Sequence, residues 1–257
     1  MTLIHPTAIV DPKAELADSV KVGPFAVIEG NVTIDEHSEI HSHVLVASGA
    51  RIGKQCIIHH GAAVSTIPQD LKFEGEESLF EIGDNTVIRE FCDLNRGTHE
   101  RGKSSIGENS FLMAYTHVAH DCLVGSHVIL ANGVQLGGHV EVEDWVVVGG
   151  MVPIHQFCKV GQHAMVGGGY RVVQDVPPYI LAAKDPMVYE GLNLVGLRRR
   201  GFSKEVIRAL QHCYRFLYRS GLNKTQAFEK IQEEIEIVPE IQNVIDFYQK
   251  STRGVIR

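Results

Sequence analysis

The residues best suited to do chemistry in this 257-residue chain are histidines. Of its 14, the densest group runs through His117-Val-Ala-His120-Asp121, Gly137-Gly138-His139 and His155-Gln156. An imidazole with an ordinary pKa of about 6.5 is mostly neutral near pH 7, so it can take a proton from an attacking group and hold it briefly. Asp121 stands where it could orient His120. Taken singly, His117 or His139 reads as a structural or solvated residue, as His37, His41 and His59 do. The clustering is what points to a base. No serine or cysteine is set up as a nucleophile, which favours direct transfer between two bound substrates over a covalent enzyme intermediate. Neither a Cys-x-x-Cys pair nor a zinc-ligand spacing occurs, so no metal is expected.

Such a group needs a scaffold, and the scaffold shows in a period of six. Every sixth position from Ile4 to Val172 is aliphatic except Asp70, Glu76 and Glu100. A helix would repeat near 3.6 residues and a simple amphipathic strand near two, so this period requires short strands punctuated by turns, a β-solenoid. The position two before each aliphatic slot shares its face of the pleat and carries small or β-branched residues, among them Ala8, Ala26, Ala50, Ala62, Thr116, Val128, Val140 and Ala164. Cys56, Cys92, Cys122 and Cys158 fall on that inward position and read as core fillers. Glycine often follows the slot, as at Gly23, Gly53, Gly83, Gly107, Gly125, Gly137, Gly149 and Gly161, which suggests a corner with unusual backbone angles. The three acidic exceptions place loops near residues 67–80 and 97–104.

After Val172 the period stops. Asp175-Val-Pro-Pro-Tyr179 and Lys184-Asp-Pro186 read as an irregular exit. Ser203 can cap a helix carrying Val206, Ile207, Leu210, Cys213 and Leu217, with Gly221 to end it. A second helix is expected over 227–235, and Pro239 opens a third. The expected division is a solenoid over 1–190 and a small helical domain over 191–257. A net charge of −7 argues against a nucleic-acid binder. The amino terminus lacks the pattern of a signal peptide and no apolar run reaches the length of a membrane span, so a cytoplasmic protein is expected.

Aliphatic-Gly-x-x-small-x hexads are similar to those of the hexapeptide transferases, and the resemblance implies a left-handed parallel β-helix of 18-residue triangular coils. Gln69-Asp-Leu-Lys72, Asn95-Arg-Gly97, His117-Val-Ala-His-Asp121, Gly137-Gly-His139, His155-Gln-Phe157, Gln174-Asp-Val-Pro-Pro178 and Gly196-Leu-Arg-Arg-Arg-Gly-Phe202 sharpen it. In this order they resemble the UDP-N-acetylglucosamine acyltransferases, which begin lipid A synthesis by moving a 3-hydroxyacyl chain from acyl carrier protein to the sugar 3-hydroxyl. With an 18-residue coil, His120 stacks under Gly138, and Gln156 sits one coil further on. The resemblance then implies His120 as base, the Gly138 backbone N–H as oxyanion donor, and His117, His139, His155 and Gln156 as substrate contacts.

The same resemblance implies that Asp70 and Lys72 reach the sugar nucleotide from a neighbouring subunit of a homotrimer, that Asn193, Arg199 and Arg200 bind it too, and that Gly168 ends the acyl groove and admits a long chain. No cofactor is implied beyond the donor's own phosphopantetheine. Arg198, Arg199 and Arg200 with Arg208, Arg215 and Arg219 form the most concentrated positive charge in a net-negative chain, either a docking patch for acidic acyl carrier protein or a solvated helix face. Val195 replaces an acidic residue found in some relatives. Competing readings are a γ-type carbonic anhydrase with three zinc-binding histidines, another hexapeptide acyltransferase, and a non-catalytic scaffold.

Overall fold

The computed structural model describes residues 3–257. Strands of two to four residues wind from Leu3–Ile4 to Met165–Val166 and stack into three parallel sheets, so the solenoid is a triangular parallel β-helix. Partners lie 18 residues apart where coils are regular, as in Leu3 with Lys21 and Ile129 with Val147. Ile57 pairs with Val87 across the first loop and Val87 with Phe111 across the second. Both loops insert whole multiples of six, so the aliphatic beat resumes in phase.

From Val22 to Val172 the aliphatic slots are at most 3% exposed. Each such side chain contributes about 1.5–3 kcal/mol by leaving water. Ile4, Val10 and Leu16 are only partly covered because no coil lies below them. The small inward position is more than filler. Ser38, Cys56, Thr86, Cys92, Ser110 and Cys122 donate to carbonyls of Gly53, Gly83, Gly107, Met113, Gly125 and Gly137 respectively, at 2.7–3.2 Å. Corner carbonyls turned inward need donors, and small hydroxyl or thiol side chains supply them without widening the coil. Burial pushes the Cys92 thiol up to about 11 and that of Cys122 to about 12, so both are inert at neutral pH.

The glycines after the slot have a different cause from the one their position suggests. Positive φ falls two residues later, on non-glycine residues such as Phe25, Gln55, Asn85, Asn109, His139 and Met151, and at the same step in coils without that glycine, as at Asp121 and Trp145. The glycines are required by close approach: a Cβ on Gly83 would sit 2.6 Å from the Glu108 nitrogen, and on Gly149 2.4 Å from the Gly168 nitrogen.

Beyond Val172 the chain is more ordered than an irregular exit. Ile180–Ala183 extends one sheet in parallel and Val188–Leu192 returns antiparallel to it. Four helices follow: α1 (Leu194–Arg199), α2 (Lys204–Arg219), α3 (Lys224–Glu234) and α4 (Pro239–Lys250). Ser203 caps α2 through the Val206 N–H, and Gly221 has the positive φ expected just past its end. A capping box of Asn223 and Gln226 starts α3 earlier than 227. The helices hold to the solenoid through buried Tyr214, whose hydroxyl donates to the Pro178 carbonyl at 2.6 Å. The buried Asp175 carboxylate accepts from the Lys159 N–H and from Ser251, while its backbone pairs with Gly254 and Ile256. The carboxyl end therefore closes the last coil, which would otherwise present open strand edges. No described helix is long and apolar enough to cross a membrane.

Candidate active site

His117 and Val118 form a strand that runs from the corner at Tyr115 to the corner at Asp121. His120 lies at the end of that leg, and its backbone carbonyl accepts the His139 N–H at 3.0 Å one coil above. Asp121 takes the left-handed corner conformation with φ 59°. Its side chain is thereby turned back to His120, with Oδ2 2.8 Å from Nδ1. Asp121 is fully buried and also accepts from the Thr98 N–H at 3.0 Å and the Thr98 hydroxyl at 2.7 Å. Burial pushes the carboxyl up, but the bonds from His120 and Thr98 more than offset this and hold it below the ordinary range. A charged acceptor on Nδ1 fixes the proton there, so the neutral His120 ring offers Nε2 as a base.

Gly138 sits against that nitrogen. A Cβ added to it would lie 2.6 Å from Cε1 and 2.7 Å from Nε2 of His120. The Gly138 carbonyl accepts from the Phe157 N–H, whereas its own N–H has no acceptor among the described residues although the residue is buried. A buried backbone donor left unused beside a base is rare and is the requirement for receiving an oxyanion. His139 meets the His120 ring edge-on at 5.2 Å and stacks on Phe157 at 4.6 Å. Its Nε2 is 3.4 Å from the Glu100 carboxylate.

His120, Asp121 and His139 are close enough together to suggest a metal site. The hydrogen bonds argue otherwise, because both Asp121 oxygens already accept from Thr98 and one also from His120. A cation would have to displace all of them.

The other residues expected to serve the site divide in two. His155 and Gln156 are exposed on the coil above His139, beside Phe157, and His155 Nδ1 lies 3.1 Å from the Gln156 carbonyl. Among the described residues of one chain, Asp70, Lys72, Asn193, Arg199, Arg200 and Gly168 make no hydrogen bond, ion pair or ring contact with His120. Asp70 turns back onto the Lys72 N–H at 3.0 Å, and Lys72 is exposed in the first loop. Asn193 caps α1 through the Gly196 N–H and donates to the His163 carbonyl at 3.0 Å. Arg199 is exposed, and Arg200 lies 5.3 Å over the Trp145 ring with one guanidinium nitrogen buried and unpaired. Trp145 belongs to the corner after the one that holds Asp121 and His139. The prism therefore holds Arg200 at a different corner from the Asp121 and His139 of the same chain.

Trp145, His163 and Tyr179 stack along that next corner. Burial first, and the Arg200 charge second, lower the His163 pKa to about 4. Between pH 6.5 and 4 the unfolded chain binds a proton that the folded ring refuses, so stability falls as pH drops through that window. His163→Phe is expected to flatten that part of the profile of Tm against pH and to leave the region above pH 7 unchanged; thermal melts of both proteins check this.

Thr98 and Glu100 were not anticipated as partners of the site, because they belong to a loop with no hexad phase. Similarity to known proteins extends along the whole chain. A family model described as UDP N-acetylglucosamine O-acyltransferase, domain 2, matches residues 175–256, and a bacterial transferase hexapeptide model matches residues 103–138. The acyl-[acyl-carrier-protein]–UDP-N-acetylglucosamine O-acyltransferase of Thiobacillus denitrificans is 44% identical over 258 residues, covering 100% of both chains, and that of a Janthinobacterium species is 46% identical over 262, again covering 100% of both. The crystal structure of the UDP-N-acetylglucosamine acyltransferase of Bacteroides fragilis superposes with a TM-score of 0.98 at 43% identity, covering 99% of this chain and 100% of that one. With the hexapeptide coils, the helical tail and the matches all agreeing from end to end, the chain belongs to the acyl-[acyl-carrier-protein]–UDP-N-acetylglucosamine O-acyltransferase family.

Proposed function

We propose that the chain moves a long 3-hydroxyacyl group from acyl carrier protein to the 3-hydroxyl of UDP-N-acetylglucosamine, the first step of lipid A biosynthesis, with His120 as general base. The observation that carries the mechanism is the pairing of an Asp121-held His120 Nε2 with the unused N–H of buried Gly138. The sugar hydroxyl attacks the thioester carbon while Nε2 takes its proton. The carbonyl oxygen gains negative charge and accepts the Gly138 N–H. Collapse re-forms the carbonyl, breaks the C–S bond and expels the phosphopantetheine thiolate, which takes the proton back from the imidazolium. A positioned base accounts for about 10²–10⁴ in rate, and a single oxyanion donor for about 10²–10³.

His117, His139, His155 and Gln156 would contact the bound substrates around that centre. Arg200 lies over Trp145 at the next corner of the prism rather than beside the same chain's His120, which supports a homotrimer whose neighbouring subunits complete each site, with Asp70, Lys72, Asn193, Arg199 and Arg200 contacting the sugar nucleotide. Exposed Arg199, Arg208, Arg215 and Arg219 suit the acidic surface of acyl carrier protein. Both substrates belong to the cytoplasm, and so would the enzyme.

Gly168 is exposed, and a Cβ there would lie 3.1 Å from the Gly150 carbonyl oxygen, so a long side chain must project away from the coil into the space assigned to the acyl tail. Gly168→Met is expected to favour shorter donors by at least about 10-fold, the scale at which a hydrophobic pocket discriminates methylenes. Competition between acyl carrier proteins of different chain length checks this. The function itself is tested by incubating the protein with 3-hydroxyacyl carrier protein and UDP-N-acetylglucosamine and weighing the nucleotide product. Absence of the acylated sugar nucleotide, with the 3-amino sugar also tried as acceptor, would overturn the reading.

A further inference from the structure

Asp93 belongs to none of the motifs described above, yet it joins two of them. It lies on the strand Asp93–Asn95 and pairs in register with His117 one coil above. Its carboxylate collects the Thr66 hydroxyl at 2.9 Å, the Gln69 side-chain amide at 3.0 Å and the Asn95 amide at 3.4 Å. His117 Nδ1 lies 3.1 Å from Asp93 Oδ2 and 3.1 Å from the Asp93 backbone oxygen. Both neighbours are acceptors only, so Nδ1 must carry a proton. The neutral ring then leaves Nε2 as an acceptor beside a hollow of about 250 Å³ lined by Gln69, Asp93, Tyr115, His117 and Gln135. That volume suits one moiety of a larger substrate. Burial pushes the Asp93 carboxyl up, but the bonds from His117, Thr66 and Asn95 outweigh it and hold the group below the ordinary range.

We propose that Asp93 is the positioning residue of acceptor binding: it fixes His117 with Nδ1 protonated and pins Gln69, thereby tying the Gln69-Asp70-Leu71-Lys72 loop to the histidine face. This rests on the acceptor assignment under the proposed function. The His120–Asp121 pair sets up the base, whereas Asp93 sets up the place where the sugar lies. Its removal should therefore weaken binding of the sugar nucleotide and spare the chemical step.

The test compares intact enzyme, Asp93→Leu and Asp93→Asn, each with and without His117→Ala. In Asp93→Leu the KM for UDP-N-acetylglucosamine should rise about 10-fold or more while kcat stays within about 3-fold and the KM for acyl carrier protein does not move, the signature of lost uniform binding. Asp93→Asn, whose amide keeps one acceptor for Nδ1, should fall between. In the His117→Ala background Asp93→Leu should raise the acceptor KM by clearly less than it does with His117 present, leaving only the part that runs through Gln69, as expected for residues that act through one another. Nitrogen NMR of the histidine rings should show His117 protonated at Nδ1 in the intact enzyme and redistributed toward Nε2 in Asp93→Leu. An unchanged acceptor KM in Asp93→Leu would show that Asp93 only supports the fold, and equal loss in both backgrounds would overturn its action through His117. Failure of the intact enzyme to acylate UDP-N-acetylglucosamine would sink the acceptor assignment, while the ring signals would still report whether Asp93 controls His117.

Discussion

His120→Ala is expected to lower kcat for acyl transfer by about 10³-fold, within the range set by a positioned base, while the protein stays folded. The side chain is 14% exposed and, among the described residues, its only side-chain hydrogen bond is to Asp121. Neither the aliphatic column nor the corner carbonyls depend on it. Residual transfer should persist, because the Gly138 N–H and the substrate contacts remain. The comparison is made with transfer kinetics at saturating substrates, alongside circular dichroism and a thermal melt of the same samples. If the variant transfers as fast as the intact enzyme, the proton goes elsewhere and the Asp121–His120 pair is structural.

The second large effect is expected from Gly138→Ala. The backbone there is not in the left-handed region, so alanine meets no conformational barrier. The obstacle is the His120 ring, whose Cε1 and Nε2 would be 2.6 and 2.7 Å from the new methyl carbon. A ring held by one bond to Asp121 can swing away, so the fold survives and the base is displaced from the oxyanion donor. A loss of about 10² in kcat is expected, the cost of misplacing a catalytic group by about 1 Å. Gly137→Ala is the contrasting control. Its Cβ would press on the Gln156 backbone nitrogen at 2.8 Å, which cannot move without shifting a coil. That variant should lose Tm first, whereas Gly138→Ala should lose activity at nearly unchanged Tm. Activity retained in Gly138→Ala would mean that His120 does not work against Gly138.

Much of this architecture was legible because a solenoid repeats its demands. Each coil asks for the same aliphatic residue at the same step, so Ile58, Leu94 and Val118 declare their burial by phase alone. The loops declared themselves by breaking that phase at Asp70, Glu76 and Glu100. The glycines after the slot stand out in the sequence, but as a sign of unusual backbone angles rather than of close approach, because sequence shows that a side chain is missing without showing what would have struck it. The hairpin Ile180–Ala183 and Val188–Leu192 was missed, since its partner strand lies on the solenoid and leaves no local alternation. At the site, the stacking of His120 under Gly138 followed from the coil length. Thr98 and Asp93 did not, because their roles depend on a loop crossing one coil and on a side chain turned along the sheet, and neither leaves a period.

Transfer in one step, from thioester to sugar hydroxyl with His120 holding the proton, is tested most directly by mixing the protein with acyl carrier protein alone and weighing the intact chain before and after adding UDP-N-acetylglucosamine. The expected result is an unmodified chain at every time point, with acylated sugar nucleotide appearing only once the acceptor is present. A chain that gains the acyl mass before the acceptor arrives, and loses it when the sugar is added, would contradict the mechanism and place a covalent intermediate on the enzyme.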